Sequence, residues 1–278
     1  MELIARRGDL EAWAELPFDP EKDFSPIGKV ANFTTIIAVS MFPLISLGVL
    51  TVSTGLCARW MPGMQGALAD WPWWQMLLVL LVADDMTQYF WHRLSHTSAL
   101  WPLHRAHHTA QYMSIRGTYR NNFFYYAVMP GLWLAGALIY LGFGWIYVLY
   151  SIVKMAVIIG AHSEARWDEA LHRHRWLHPL AWILERTIST PTTHYAHHAL
   201  SQDDGIGHYQ GNYGNLLFFW DILFGTALIS RRYPPAFGLP DDRRLGSERW
   251  YIQFFYPIFR SRRAETVLSG RPVKAPEN

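Results

Sequence analysis

Eight of the thirteen histidines in this 278-residue chain fall into three short blocks: His92-Arg-Leu-Ser-His96, His104-Arg-Ala-His107-His108 and His194-Tyr-Ala-His197-His198. Residues spaced i, i+4 or i, i+3, i+4 share one face of a helix, so each block can aim its imidazoles at one point. A single ion rarely takes more than about six donors, and a zinc site uses fewer still. Eight convergent nitrogens therefore point to two metals. One His-x-x-x-His pair alone is commonly a surface or core pair; three blocks, two of them with the same spacing, call for a different explanation.

Imidazole ligands suit zinc, copper, iron and nickel alike. A zincin helix would read His-Glu-x-x-His, but Arg93 follows His92. Soluble di-iron carboxylate bundles need two Glu-x-x-His pairs, and the chain has only Glu169-Ala-Leu-His172. Cys57 is the only cysteine, which excludes an intrachain disulfide framework, a four-cysteine zinc site and a self-contained iron–sulfur cluster.

The elements that must position these blocks are apolar. With 51% hydrophobic and 17% charged residues the composition leans toward a membrane. Phe33 to Leu56 carries no charge over 24 residues, and a spanning helix needs roughly 20. A second apolar run, from about Trp73 to Trp91, is interrupted by Asp84 and Asp85 and flanked by interfacial tryptophans. Phe123 to Ala161 is too long for one helix, and Gly142-Phe143-Gly144 at its centre makes a turn between two spans. The expected fold is all-α: one membrane-embedded domain over residues 1–278, with spans near 33–56, 73–91, 123–141 and 145–161. Cytosolic segments near 92–122 and 162–230 form a helical cap holding the metal site, and a basic tail covers 231–278.

Arg6, Arg7, Lys22 and Lys29 precede the first span; Arg93, Arg105, Arg116 and Arg120 follow the second; Arg166, Arg173, Arg175 and Arg186 follow the fourth. By the positive-inside rule the termini and all three blocks face the cytoplasm. The N-terminus has charges and no long apolar core, so it reads as a retained segment and not a signal peptide. A net charge of +2 gives no argument for nucleic-acid binding. Lys154 precedes His162 by eight residues, and Asp84 and Asp85 precede His92 by eight and seven, so these charges share one depth and an ion pair between the two helices is expected. The aromatic and basic stretch Trp250 to Arg263 suits either the membrane surface or packing on the cap.

The three blocks, with Asp85, Tyr89 and Trp91 before them and Asn212-Tyr213-Gly214 and Trp220-Asp221-Ile222-Leu223-Phe224-Gly225-Thr226 after them, resemble the fatty acid hydroxylase superfamily, also called the sterol desaturase family. The likeness runs from about Asp85 to Thr226. It implies an integral-membrane enzyme with a non-haem di-iron site that oxidises an unactivated C–H bond of a lipid, using O2 and electrons from NAD(P)H. His92, His96, His104, His107, His108, His194, His197 and His198 carry over as iron ligands, with His162 and His178 as further candidates. Asp85, Tyr213 and Asp221 are candidates for supporting those ligands. His172 and His174 read as a solvated basic loop, and His208 as a loop residue.

Hydroxylation is preferred, and sterol-type desaturation at the same site is the alternative. With one cysteine and no fused haem-binding signature, the electrons must arrive from a separate cytochrome b5 or ferredoxin. A metal transporter is the rival from another class; it would need ligands near the bilayer midplane, whereas these sit at one face.

Overall fold

The computed structural model describes residues 26–271, and within them all regular structure is helical apart from one isolated bridge between Ala199 and Phe237. The N-terminal segment with Arg6, Arg7 and Lys22, and the last seven residues of the basic tail, lie outside the described residues.

Helix α1 (Pro26–Trp60) is 35 residues long. Helix α2 (Trp73–Leu80) runs through a wide π turn, Leu81–Met86, directly into α3 (Thr87–Ser95). The second block continues through α4 (Trp101–His104) and a 3-10 turn, Arg105–Thr109. The expected third span is not one helix. It divides into α5 (Phe123–Ala127) and α6 (Pro130–Leu138), because Pro130 has no N–H to continue the hydrogen-bond ladder and starts a new helix. The expected turn is present: Gly142 has φ 116°, and a Cβ there would lie 2.7 Å from the Ala69 nitrogen. Helix α7 (Gly144–His162) follows.

The remaining helices are short: α8 (Glu169–Arg173), α9 (His178–Thr187), α10 (Pro191–His197), α11 (Phe219–Phe224), α12 (Pro240–Leu245) and α13 (Trp250–Phe255). Two helical segments among the described residues are long and apolar enough to cross a membrane, Ser40–Trp60 and Phe123–His162.

Helix α7 has two distinct faces. Trp145, Val148, Leu149, Ile152 and Val153 are each more than half exposed, while Tyr147, Ser151, Lys154, Ile158 and His162 line an internal cavity. The i, i+3, i+4 spacing puts the apolar set outward, which suits hydrocarbon and not water.

Helices α1 and α6 pack through small residues, with Ser53 Oγ donating to Trp133 O at 2.6 Å and Thr54 Oγ1 to Gly136 O at 3.1 Å. A Cβ on Gly136 would meet Ser53 Cβ at 2.6 Å and Leu50 O at 2.9 Å. Gly136→Ala should therefore lose about 1–3 kcal/mol by overpacking, read by denaturation in detergent. Gly55→Ala, whose Cβ would meet nothing within 4 Å, is the control.

The ion pair is present and specific. Lys154 Nζ lies 2.5 Å from Asp84 Oδ2, joining α7 to the α2–α3 helix. Asp85 turns the other way and accepts from Trp220 Nε1 at 2.8 Å and Leu217 N at 3.2 Å, which pins α11 and its approach to the same helix.

Two of the arginines on the expected cytoplasmic side, Arg105 and Arg120, are buried. Arg105 forms an ion pair with Asp242, and Arg120 donates to the carbonyls of Ala106 and His107 at 2.8 and 3.2 Å, so both hold the second block in place. The C-terminal stretch packs on the body: Ile252 and Phe254 are buried, and Asn122 Nδ2 donates to Gln253 O and Tyr256 O, both at 2.9 Å. His172 is not a solvated loop residue, since its Nε2 lies 3.3 Å from Thr192 Oγ1 and 3.8 Å from Asp168 Oδ2.

Candidate metal centre

Nine histidines converge on two adjoining donor groups. His92, His96, His104, His108 and His197 form one, and His107, His162, His194 and His198 the other; within each group the ring nitrogens lie within 4.8 Å of one another. The groups interleave the blocks, because the second and third each feed both. Only the first block aims at one point as expected: His104 and His108 join one group while His107 joins the other, and His197 parts in the same way from His194 and His198.

Local structure aims each ring. His92 is on α3 and His96 caps its end. His104 ends α4, and His107 and His108 follow on the 3-10 turn. Helix α10 is started by a capping box in which Thr190 and Thr193 exchange side-chain and backbone hydrogen bonds, with Pro191 at the first position. This sets the rotation of His194, His197 and the capping residue His198. His162 is the last residue of α7.

The hydrogen-bond partners decide which nitrogen is free. His92 Nδ1 meets Tyr213 O at 2.7 Å, His197 Nδ1 meets Gly211 O at 2.7 Å, His107 Nδ1 meets Gly117 O at 3.0 Å and His162 Nδ1 meets Ile158 O at 2.7 Å. A carbonyl only accepts, so in each case the proton is on Nδ1 and the lone pair on Nε2. His104 Nδ1 meets Asn121 Oδ1 at 2.7 Å in the same manner.

The free lone pairs then face each other. His107 Nε2 and His162 Nε2 are 3.3 Å apart, and neither has a proton to offer the other. His162 Nε2 is 2.9 Å from His194 Nε2, which is 3.1 Å from His198 Nε2. In the other group His104 Nε2 and His108 Nε2 are 3.2 Å apart, and the Nε2 atoms of His92, His96 and His197 are buried without a hydrogen-bond partner. Converging lone pairs repel unless a cation sits between them, and adjacent ligands about 2.1 Å from a common ion are about 3 Å apart. The donor sets therefore fit two metal ions.

Electrostatics agrees with that fit. Burial first, and the neighbouring imidazoles second, hold His107, His108, His194 and His198 well below the ordinary histidine value, so they are neutral donors at neutral pH.

One loop orients a ligand on each of α3 and α10, since Gly211 O and Tyr213 O each accept from a histidine. Asp221 clamps that loop, accepting from Tyr213 N at 2.8 Å, Gly214 N at 2.6 Å and Thr226 Oγ1 at 2.6 Å. Burial pushes its carboxyl up to about 6 against those donors. Asn212, at φ 55°, ties the loop to Thr193 O and Leu228. Tyr213 thus meets the centre through its backbone carbonyl and through its ring, which packs against His92, His96 and His197, while Asp221 and Asp85 support the loop and α11 without a hydrogen bond to an imidazole.

His178 joins neither group. It is the first residue of α9, with Pro179 second, and His178 Nε2 lies 3.1 Å from His172 O. His208 Nε2 meets Thr226 O at 3.2 Å in the loop. Asn121, Gly117, Gly211 and Ile158 were not evident from the sequence; only Asn121 carries a side-chain signal, as a buried amide 17 residues from His104. Asn121→Ala leaves His104 without its acceptor and should weaken metal binding about 10–100-fold. The chelator concentration that halves the metal content measures this.

A cavity of about 310 Å³ opens against both groups. It is bounded by His92, His104, His107 and His162 at one end, by Tyr125, Tyr126, Met129, Leu132 and Ile158 along its walls, and by Asp84 and Lys154 at the other end.

Residues 77–226, more than half of the chain, match the fatty acid hydroxylase family. Among curated proteins, alkylglycerol monooxygenase of Danio rerio is 26% identical over 193 residues, 67% of this chain and 36% of the relative. Alkylglycerol monooxygenase of Xenopus tropicalis is 25% identical over 166 residues, 57% of this chain and 31% of the relative. The chain spans about a third of the length of these two curated relatives. No solved structure matches it.

Proposed function

Because the chain belongs to the fatty acid hydroxylase family, we propose that it is a multi-pass membrane monooxygenase that hydroxylates a lipid at a di-iron centre held by the nine histidines. The observation that carries this reading is the meeting of two neutral imidazole groups with one end of a largely apolar cavity. Iron ions held there would supply O2 activation: one oxygen atom enters a C–H bond as an alcohol and the other leaves as water, with two electrons and two protons consumed.

The chain's own residues do the rest. Five Nδ1 donors fixed on Tyr213, Gly211, Gly117, Ile158 and Asn121 hold the rings without reorganisation. The aromatic and aliphatic cavity wall orients an acyl, alkyl or sterol body against His92, His104, His107 and His162 and excludes water. The relatives' names, alkylglycerol monooxygenases, favour oxygen insertion over desaturation and an ether lipid of the alkylglycerol type as the first substrate to try.

The proposed topology has four spans, formed by α1, by α2–α3, by α5–α6 and by α7, with the histidines at the cytoplasmic face. The exposed apolar face of α7 supports it, as do Arg93, Arg116, Arg166, Arg173, Arg175 and Arg186 on the expected cytoplasmic side. Electrons would come from NAD(P)H through a separate cytochrome b5 or ferredoxin.

Supplying cells that express the chain with 1-O-hexadecylglycerol under 18O2 tests the reaction. A product carrying one 18O atom, absent from the His107→Ala variant, is expected; an unlabelled alkene would mean desaturation, and no oxidised lipid would count against catalysis.

A further inference from the structure

The cavity that meets the histidines carries polar atoms that a bare hydrocarbon would not need. Ser46 Oγ, Gln88 Oε1 and Thr118 Oγ1 are buried in its lining with no hydrogen-bond partner among the described residues. Its far end is ionic. Lys154 Nζ meets Asp84 Oδ2 at 2.5 Å, and the Tyr150 hydroxyl donates to the same oxygen at 2.8 Å. An ammonium has three N–H donors, so Lys154 keeps donors beyond the one on Asp84. Buried polar groups without partners are costly, and a cluster of them in one cavity marks where a ligand supplies the partners.

The helix register fixes how far this end lies from the histidines. Asp84, Gln88 and His92 follow one another at intervals of four, as do Lys154, Ile158 and His162. At about 1.5 Å per residue, both series place the Asp84 and Lys154 positions about 12 Å along the helix axis from those of His92 and His162. The charge there is already neutralised: Asp84 offsets Lys154 and would repel a second carboxylate. A neutral hydroxyl suits the pair, because it can both accept from Lys154 and donate to an unpartnered acceptor of the same lining, such as Gln88 Oε1 or Ser46 Oγ.

We propose that the Lys154–Asp84 end of the cavity is a hydroxyl-binding subsite, so that the substrate carries a neutral hydroxyl about two helical turns in depth from the carbon presented to the histidines. The inference rests on the reading that this cavity receives the lipid. It separates the substrate from a simple chain ending in a methyl group at that depth.

The test uses two probes, dodecane and dodecan-1-ol, with the iron-loaded full chain in nanodiscs, and compares apparent affinities from ligand-dependent thermal stabilisation. Wild type should bind the alcohol at least tenfold more tightly than the alkane. The Lys154→Met/Asp84→Leu double variant removes the pair as a unit, and its preference should fall below threefold with alkane binding retained. Ser46→Ala and Gln88→Leu, which leave the ion pair intact, should each reduce the preference and keep the test valid if the double variant does not fold. No preference in wild type, or one that persists in every variant that folds, overturns the subsite. Iron content measured on the same samples separates this from the metal reading: a wild type without iron counts against the di-iron centre while the probe comparison still reports on the cavity.

Discussion

His107→Ala should abolish one metal position and, with it, product formation. His107 belongs to the smaller, four-nitrogen group, where His162, His194 and His198 would be left as three donors. Its Nε2 lies 3.3 Å from that of His162, and its Nδ1 is fixed by Gly117 O at 3.0 Å, so the ring is held with its free nitrogen toward the group. Loss of a residue that merely orients a ligand costs about 10–100-fold, so loss of the ligand should exceed about 100-fold in oxidised lipid. Metal content should fall by about half, because His92, His96, His104, His108 and His197 remain as the other group. An alanine variant with full metal content and product would remove His107 from the centre.

Lys154→Met should destabilise the fold more than any change at an exposed position. Lys154 and Asp84 are both almost fully enclosed, with side-chain exposures of 11% and 8%. Replacing the lysine leaves a buried carboxylate whose remaining hydrogen-bond partner among the described residues is the Tyr150 hydroxyl, at 2.8 Å. Breaking a buried pair on one side costs about 3–5 kcal/mol, whereas replacing both members with apolar residues is often close to neutral. Lys154→Met/Asp84→Leu should therefore recover most of the stability that Lys154→Met loses. Denaturation in detergent micelles measures the four corners of the cycle. Equal losses in the single and double variants would mean that the pair does not tie α7 to the α2–α3 helix.

Much of the centre was legible because its ligands share a side-chain type and helical spacing. The eight block histidines needed no tertiary information, and His162 stood out by ending an apolar helix. His178 looked comparable in the sequence, yet it opens α9 and its ring meets a backbone carbonyl instead. The partition into two groups was not legible. It depends on how α3, α7 and α10 rotate against the 3-10 turn, and no local pattern encodes that rotation. The carbonyls of Gly117, Ile158, Gly211 and Tyr213 were equally hidden, because every residue has a carbonyl.

Charge was the least transparent signal. Arg105 and Arg120 counted toward topology in the sequence but are structural, buried against Asp242 and the carbonyls of their own turn. Asp84 and Asp85 are adjacent and looked interchangeable, yet successive helical positions point about 100° apart, and one meets Lys154 while the other meets Trp220. The break before Pro130 was visible as a residue type, but the uninterrupted apolar run concealed it.

Metal analysis of the purified full chain by mass spectrometry is the most direct test of the two donor groups. With iron supplied during expression, two irons per chain are expected, one for each group. A single zinc per chain, or no bound metal, would contradict the account.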